Sequence, residues 1–175
     1  RKAVSVRPLD EIGKLRMKEV GRVQREGYHI DKIVLHPPSG LPIPALTFPP
    51  ESPEDDAYLY LHGEGKQADG AVGGPIEELV SEGYVVVAID LRGCGETAAK
   101  EQDDLLGDWR TYFLSYLLGQ SVLGLQTEDA LACGRWVANY ETKQPRRVHL
   151  VGIGSAGVPA LHAAALEPEL FATVK

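Results

Sequence analysis

The chain of 175 residues is short of several things, and each shortage removes a class of function. Its two cysteines, Cys94 and Cys133, are too few for a disulfide framework. Neither has a Cys or His at metal-ligand spacing, so both read as small, half-buried thiols, and no metal or cofactor is expected. No apolar run approaches the roughly 18 residues of a membrane-spanning helix. No run of Lys and Arg stands out, and the net charge of -7 opposes the phosphate neutralisation that nucleic-acid binding needs. Arg1-Lys-Ala-Val has no apolar signal core; a trimmed chain would lack one too, so the compartment stays open. Internal repeats, heptads and low-complexity segments are missing. What is present, 43% apolar and 25% charged residues, is the composition of a globular domain with one sizeable core.

Residues 8–25 carry Leu9, Ile12, Leu15, Val20 and Val23 among charges, a helical period that predicts an N-terminal helical segment over 1–27. Residues 28–35 and 42–48 read as extended, joined by the turn His36-Pro-Pro-Ser-Gly40, and predict an antiparallel pair at a sheet edge. A proline-rich polar loop, 49–56, follows. From Ala57 onward strands alternate with helices: strands at 57–61, 84–89, 148–151 and 171–174, helices at 74–82, 104–118, 127–140 with Thr127 as N-cap, and 156–166. That alternation gives an α/β fold, a doubly wound, mostly parallel sheet with an antiparallel start, in which ligands sit at the carboxyl ends of the strands. Three glycine-bearing loops fall there, at 62–65, 92–95 and 152–157.

The stretch Arg147-Val-His-Leu-Val-Gly-Ile-Gly-Ser-Ala-Gly-Val158 passes from a buried strand pattern through a glycine turn into a helix. In a nucleophile elbow, G-x-S-x-G, such a turn lifts a serine hydroxyl to a helix N-terminus beside backbone N–H donors. Tyr58-Leu-Tyr-Leu-His-Gly63, then Glu82-Gly-Tyr-Val-Val-Val-Ala-Ile-Asp-Leu-Arg-Gly-Cys-Gly-Glu-Thr97, then Val148-His-Leu-Val-Gly-Ile-Gly154 resemble the third strand, the fourth strand and the elbow of an α/β-hydrolase of the acetyl xylan esterase and dienelactone hydrolase-like group. The resemblance covers about 28–175, which it implies is a partial hydrolase domain that stops before the last strands. It implies hydrolysis of carboxylic esters, with a small ester or an acetylated carbohydrate as substrate. Serine attack would form a tetrahedral oxyanion, held by N–H groups near Glu64 and Ala156. His62, Gly63 and Glu64 then shape the oxyanion loop.

The register of the elbow is unusual. Laid on Leu-Val-Gly-x-Ser-x-Gly, the chain has Gly154 in the serine's place and Ser155 one residue late. The shift turns Ser155 away from the mouth, so the chain reads as an ester hydrolase impaired or inactive as it stands, with Ser155 the remaining candidate nucleophile; the alternative is a helix-start serine in a non-catalytic binding or structural domain. The resemblance also puts the triad acid and histidine beyond a sixth strand, and His29, His36, His149 and His162 are not placed like a triad base. A segment or subunit covering the strand at 171–175 is expected. Asp90 and Arg92 read as a structural turn with Arg92 pairing locally, and Asp103, Asp104 and Asp108 as a solvated helix start. A second reading takes Gly152-Ile-Gly-Ser-Ala-Gly157 as a dinucleotide-binding loop; the acidic partner about 20 residues on would lie at or past Lys175.

Overall fold

A computed structural model describes residues 5–38, 40–98 and 109–175. One seven-stranded sheet organises them, in the order β1-β2-β3-β5-β4-β6-β7. The strands are β1 (Arg16–Arg25), β2 (Tyr28–His36), β3 (Ile43–Phe48), β4 (Asp56–His62), β5 (Val85–Ile89), β6 (Arg147–Ile153) and β7 (Phe171–Val174). The helices are α1 (Leu9–Ile12), α2 (Pro75–Ser81), α3 (Trp109–Leu117), α4 (Val122–Ala138) and α5 (Gly157–Leu166). β1, β2, β3 and β5 pair antiparallel in turn, whereas β5, β4, β6 and β7 run parallel.

The parallel centre is buried on both faces, which explains why β5 reads Val-Val-Val-Ala-Ile with no polar alternation. On one face Leu59, Leu61, Val87, Ile89 and Leu150 pack with Leu131 and Val137 of α4 and Ala160 and Ala163 of α5. On the other, Tyr58, Tyr60, Val86 and Val151 pack with Ile76 and Val80 of α2.

Two expectations fail near the start of the chain. The helix expected over 8–25 is a single turn, Leu9–Ile12, followed by the ten-residue strand β1. β1 turns into β2 through Glu26 and Gly27, the latter at φ +75°, so 16–25 belong to the same sheet as the rest. β1 exposes nearly all its side chains and carries a bulge at Val20. An edge strand with no buried face has no period-2 pattern, and its Lys and Arg guard the edge. The pair β2 and β3 is accordingly antiparallel as expected but lies inside the sheet, with β1 taking the edge.

A third correction concerns α4, which begins five residues earlier than expected. Ser121 is its N-cap, its hydroxyl accepting from the Gly124 N–H at 2.9 Å. Thr127 is buried inside the helix and donates to the Leu123 carbonyl at 2.7 Å. α3 lies within the helix expected over 104–118; the earlier part of that segment, with Asp104 and Asp108, and Asp103 before it lie outside the described residues. Cys133 is buried and Cys94 half-buried, both as free thiols.

Candidate active site at the carboxyl edge of the sheet

The three glycine loops meet at the carboxyl ends of β4, β5 and β6. A Cβ on Gly65, at φ +106°, would stand 2.7 Å from the Gly95 Cα and 2.9 Å from Asp90 Oδ1. A Cβ on Gly63 would stand 2.5 Å from Ser155 Oγ and 3.1 Å from the Ser155 nitrogen. Only hydrogen side chains allow the loop after β4 to touch the turns on either side of it.

The loop after β5 is held by ions. Asp90 is 1% exposed and accepts three bonds, from the Lys66 N–H at 2.7 Å, the Lys66 Nζ at 2.6 Å and the Glu96 N–H at 3.0 Å. Lys66, 5% exposed, also reaches Glu96 Oε1 at 2.6 Å. Burying a lysine and a carboxylate is tolerable only because each finds a partner and the remaining lone pairs meet backbone donors. A depression of about 270 Å³ lies over this pair, lined by Glu64, Lys66, Gln67, Asp90, Glu96 and the glycines 65 and 95. Arg92 makes a bidentate pair with Asp129 of α4, both bonds 2.9 Å, and its carbonyl accepts from Gln126 at 2.7 Å. The pairing expected to be local in sequence thus spans 37 residues and fastens the turn to α4. Burial pushes the Asp129 carboxyl up to about 6, more than the Arg92 charge and hydrogen bonds draw it down.

The turn after β6 is held by small atoms. A Cβ on Gly152 would meet Ala160 Cβ at 2.8 Å and Gly157 Cα at 2.9 Å, so the strand and α5 close on each other with no room for a side chain. Gly154 follows at φ +62° and opens a short 3-10 turn, Gly154–Ala156, that leads into α5. A Cβ there would meet nothing within 4 Å. The apex of the turn therefore carries a left-handed backbone and empty space where a side chain could project. Ser155 is exposed beside it, its hydroxyl tucked against Gly63 and without a hydrogen-bond partner among the described residues. Ala156 is buried under the turn.

His62 ends β4, opposite Ile153 in the parallel register, and the Gly63 N–H donates to the Ile153 carbonyl at 3.0 Å. The Glu64 N–H donates to His62 Nδ1 at 3.0 Å. His62 Nε2 faces Asp69 Oδ2 at 3.9 Å, and Asp69 Oδ2 in turn accepts from the Tyr60 hydroxyl at 2.7 Å. The sequence marked His62, Gly63, Glu64, Ser155 and Ala156, and all five lie on this edge of the sheet; it missed Lys66 and Asp69, whose partners are 24 and 9 residues away.

The other histidines lie elsewhere. His29 faces Asp31 at 3.3 Å on β2, His36 ends that strand, and His162 donates from Nδ1 to the Val158 carbonyl at 2.9 Å in α5. His149 bonds Asp56 at 3.1 Å and Thr173 at 2.8 Å. That arrangement resembles a relay, but it lies five residues before Gly154 on β6, about 17 Å away at a strand's rise. Asp56 is held below the usual carboxylate range by hydrogen bonds from Arg147 and His149, against the opposing pull of its burial. Among the described residues no cluster of three His, Cys, Asp or Glu could hold a metal ion, and no helix is long and apolar enough to cross a membrane.

No family model matches the chain. The solved structure of a putative acetyl xylan esterase from Bacteroides fragilis NCTC 9343 superposes with a TM-score of 0.75 over 95% of this chain, at 21% identity. Acetyl Xylan Esterase 1 from Thermoanaerobacterium sp. JW/SL YS485 does so with a TM-score of 0.67, also over 95%, at 23% identity. The chain has the α/β-hydrolase fold. In sequence, the hydrolase-fold chain is 27% identical over 141 residues to the Bacillus subtilis (strain 168) protein named "Putative hydrolase YtaP", a match covering 73% of it. It spans about half the length of these proteins: 45% of the Bacillus one, 49% of the Bacteroides one and 54% of the Thermoanaerobacterium one. The turn after β6 carries that strand into α5, and the loop after β4 faces it.

Proposed function

We propose that this domain belongs to a carboxylic-ester hydrolase of the acetyl xylan esterase kind and that, as this chain stands, its ester chemistry is impaired. The observation that supports this reading is Gly154: left-handed at φ +62°, in the turn from β6 into α5, with open space where a side chain would project. A serine at that apex would attack an ester carbonyl, and the oxyanion would take N–H bonds from the residue after the apex and from the loop after β4. Here the residue after the apex is Ser155, whose N–H takes the role that counting from Ser155 gives to Ala156. The second donor is Glu64. The substrate class follows from the fold neighbours' names, a small ester or an acetylated carbohydrate.

Ser155 is the hydroxyl left at the mouth, but its Oγ rests against Gly63 and no histidine bonds it. The second reading, a hydrolase-fold domain that binds or supports without catalysis, is favoured by that same missing pairing. The dinucleotide reading is weaker, because Gly152 and Gly157 are occupied in packing β6 against α5. Among the described residues β7 pairs on one side only and exposes Val174, which supports a covering segment or subunit along it. Incubation of the wild-type chain, Ser155→Ala and heat-denatured protein with p-nitrophenyl acetate tests the reading. The expected result is turnover by wild type no faster than by Ser155→Ala; a rate that collapses in Ser155→Ala overturns impairment and makes Ser155 the nucleophile.

A further inference from the structure

We infer that His62 is a positioning residue of the oxyanion loop: its neutral ring holds the Glu64 N–H out of use, and its protonation hands that N–H to the mouth of the site. The inference rests on the proposed ester chemistry only for what the released N–H would do. The holding itself is geometry. Glu64 donates its backbone N–H to His62 Nδ1 at 3.0 Å, so the ring must present a lone pair at Nδ1 and, when neutral, carry its hydrogen on Nε2. That Nε2–H points toward Asp69 Oδ2, 3.9 Å away, too far for a hydrogen bond and near enough for an ion pair.

Protonation from solvent places a second hydrogen on Nδ1. Two donors, Nδ1–H and the Glu64 N–H, then face one another, and the bond between them cannot persist. The charged ring instead gains attraction to Asp69, which already lies on its other side, braced by the Tyr60 hydroxyl at 2.7 Å. A small movement of the imidazole toward Asp69 closes the 3.9 Å gap and frees the Glu64 N–H. Asp69, on the loop after β4, is the charged group at ion-pair distance from the ring among the described residues, and the Glu64 carboxylate belongs to the same turn; opposite the ring on β6 stands the uncharged Ile153.

The released N–H lies where the proposed oxyanion would form. Glu64 follows Gly63, whose Cα abuts Ser155, and the Gly63 N–H is committed to the Ile153 carbonyl. Glu64 is therefore the donor the loop can offer to a charge growing at the elbow, and His62 decides when.

The test is amide hydrogen exchange and ¹H–¹⁵N NMR of the wild-type chain across pH 5 to 8.5, neither of which needs catalysis. On the alkaline side the expected spectra show His62 as the Nε2–H tautomer, a protected Glu64 amide and a through-hydrogen-bond coupling to Nδ1. On the acid side the coupling is lost, protection falls, and the Glu64 amide resonance follows the ring's own titration. In His62→Phe that pH dependence should vanish while the fold signals persist. A Glu64 amide that ignores the His62 titration, or that still titrates in His62→Phe, overturns the inference. Failure there leaves the esterase proposal standing, and an inactive esterase assay leaves this result readable.

Discussion

The turns after β5 and after β6 flank the same loop, yet one is welded by charge and the other by small atoms. Lys66, Asp90 and Glu96 fix the first, with Asp90 accepting three bonds and Gly95, at φ +54°, lying so close that a Cβ would collide with the Asp90 carboxylate. In the second, Gly152, Ala160 and Gly157 close the strand onto the helix, and Gly154 is left pointing at nothing. The difference separates scaffold from chemistry. The contacts that hold the two turns are all made, while the Cα of Gly154, the position from which the proposed chemistry would be done, faces open space.

The largest effect should come from breaking the weld. Asp90→Ala strands a buried ammonium with Glu96, 62% exposed, as its remaining partner, and should cost about 3–5 kcal/mol by urea or thermal unfolding. Replacing both partners, Lys66→Met with Asp90→Leu, should recover most of that loss. Next is Asp129, through pH. Its folded-state carboxyl titrates near 6, above the ordinary 3.8, so the fold binds the proton more tightly than the unfolded chain does. The stability from this group is complete below pH 4 and is lost as pH rises through 6, by roughly 1–3 kcal/mol. Unfolding of wild type against Asp129→Asn over that window should show the slope in wild type and its loss in the variant.

Smaller effects contrast the glycines of the bare turn. Gly152→Ala meets backbone and the Ala160 methyl below 3 Å and should cost about 2 kcal/mol. Gly154→Ala meets nothing, so it should cost only the left-handed strain of about 1 kcal/mol. Equal losses at the two positions would mean the apex is not open.

What the sequence disclosed follows the same division. The buried strands β4, β5 and β6 and their glycine endings were legible, because two-sided burial and backbone approach leave a signature in adjacent residues. β1 was misread because an exposed strand has no periodicity to read, and the short turn at Gly27 was the cue that could have corrected it. The start of α4 was misplaced because Thr127 resembles a cap by type alone, while Ser121 caps by geometry. The Lys66–Asp90 and Arg92–Asp129 pairs join residues that only the folded sheet brings together. The apex was visible as a letter, Gly154, but its left-handed backbone and empty surroundings were not.

The central claim, that the elbow lacks its nucleophile, is tested most directly by the hydrolysis of p-nitrophenyl acetate by wild type and by Ser155→Ala, compared at equal concentration and confirmed fold. The expected result is two indistinguishable rates near that of denatured protein. A wild-type rate at least tenfold above Ser155→Ala would contradict it and make the hydroxyl beside Gly63 the nucleophile.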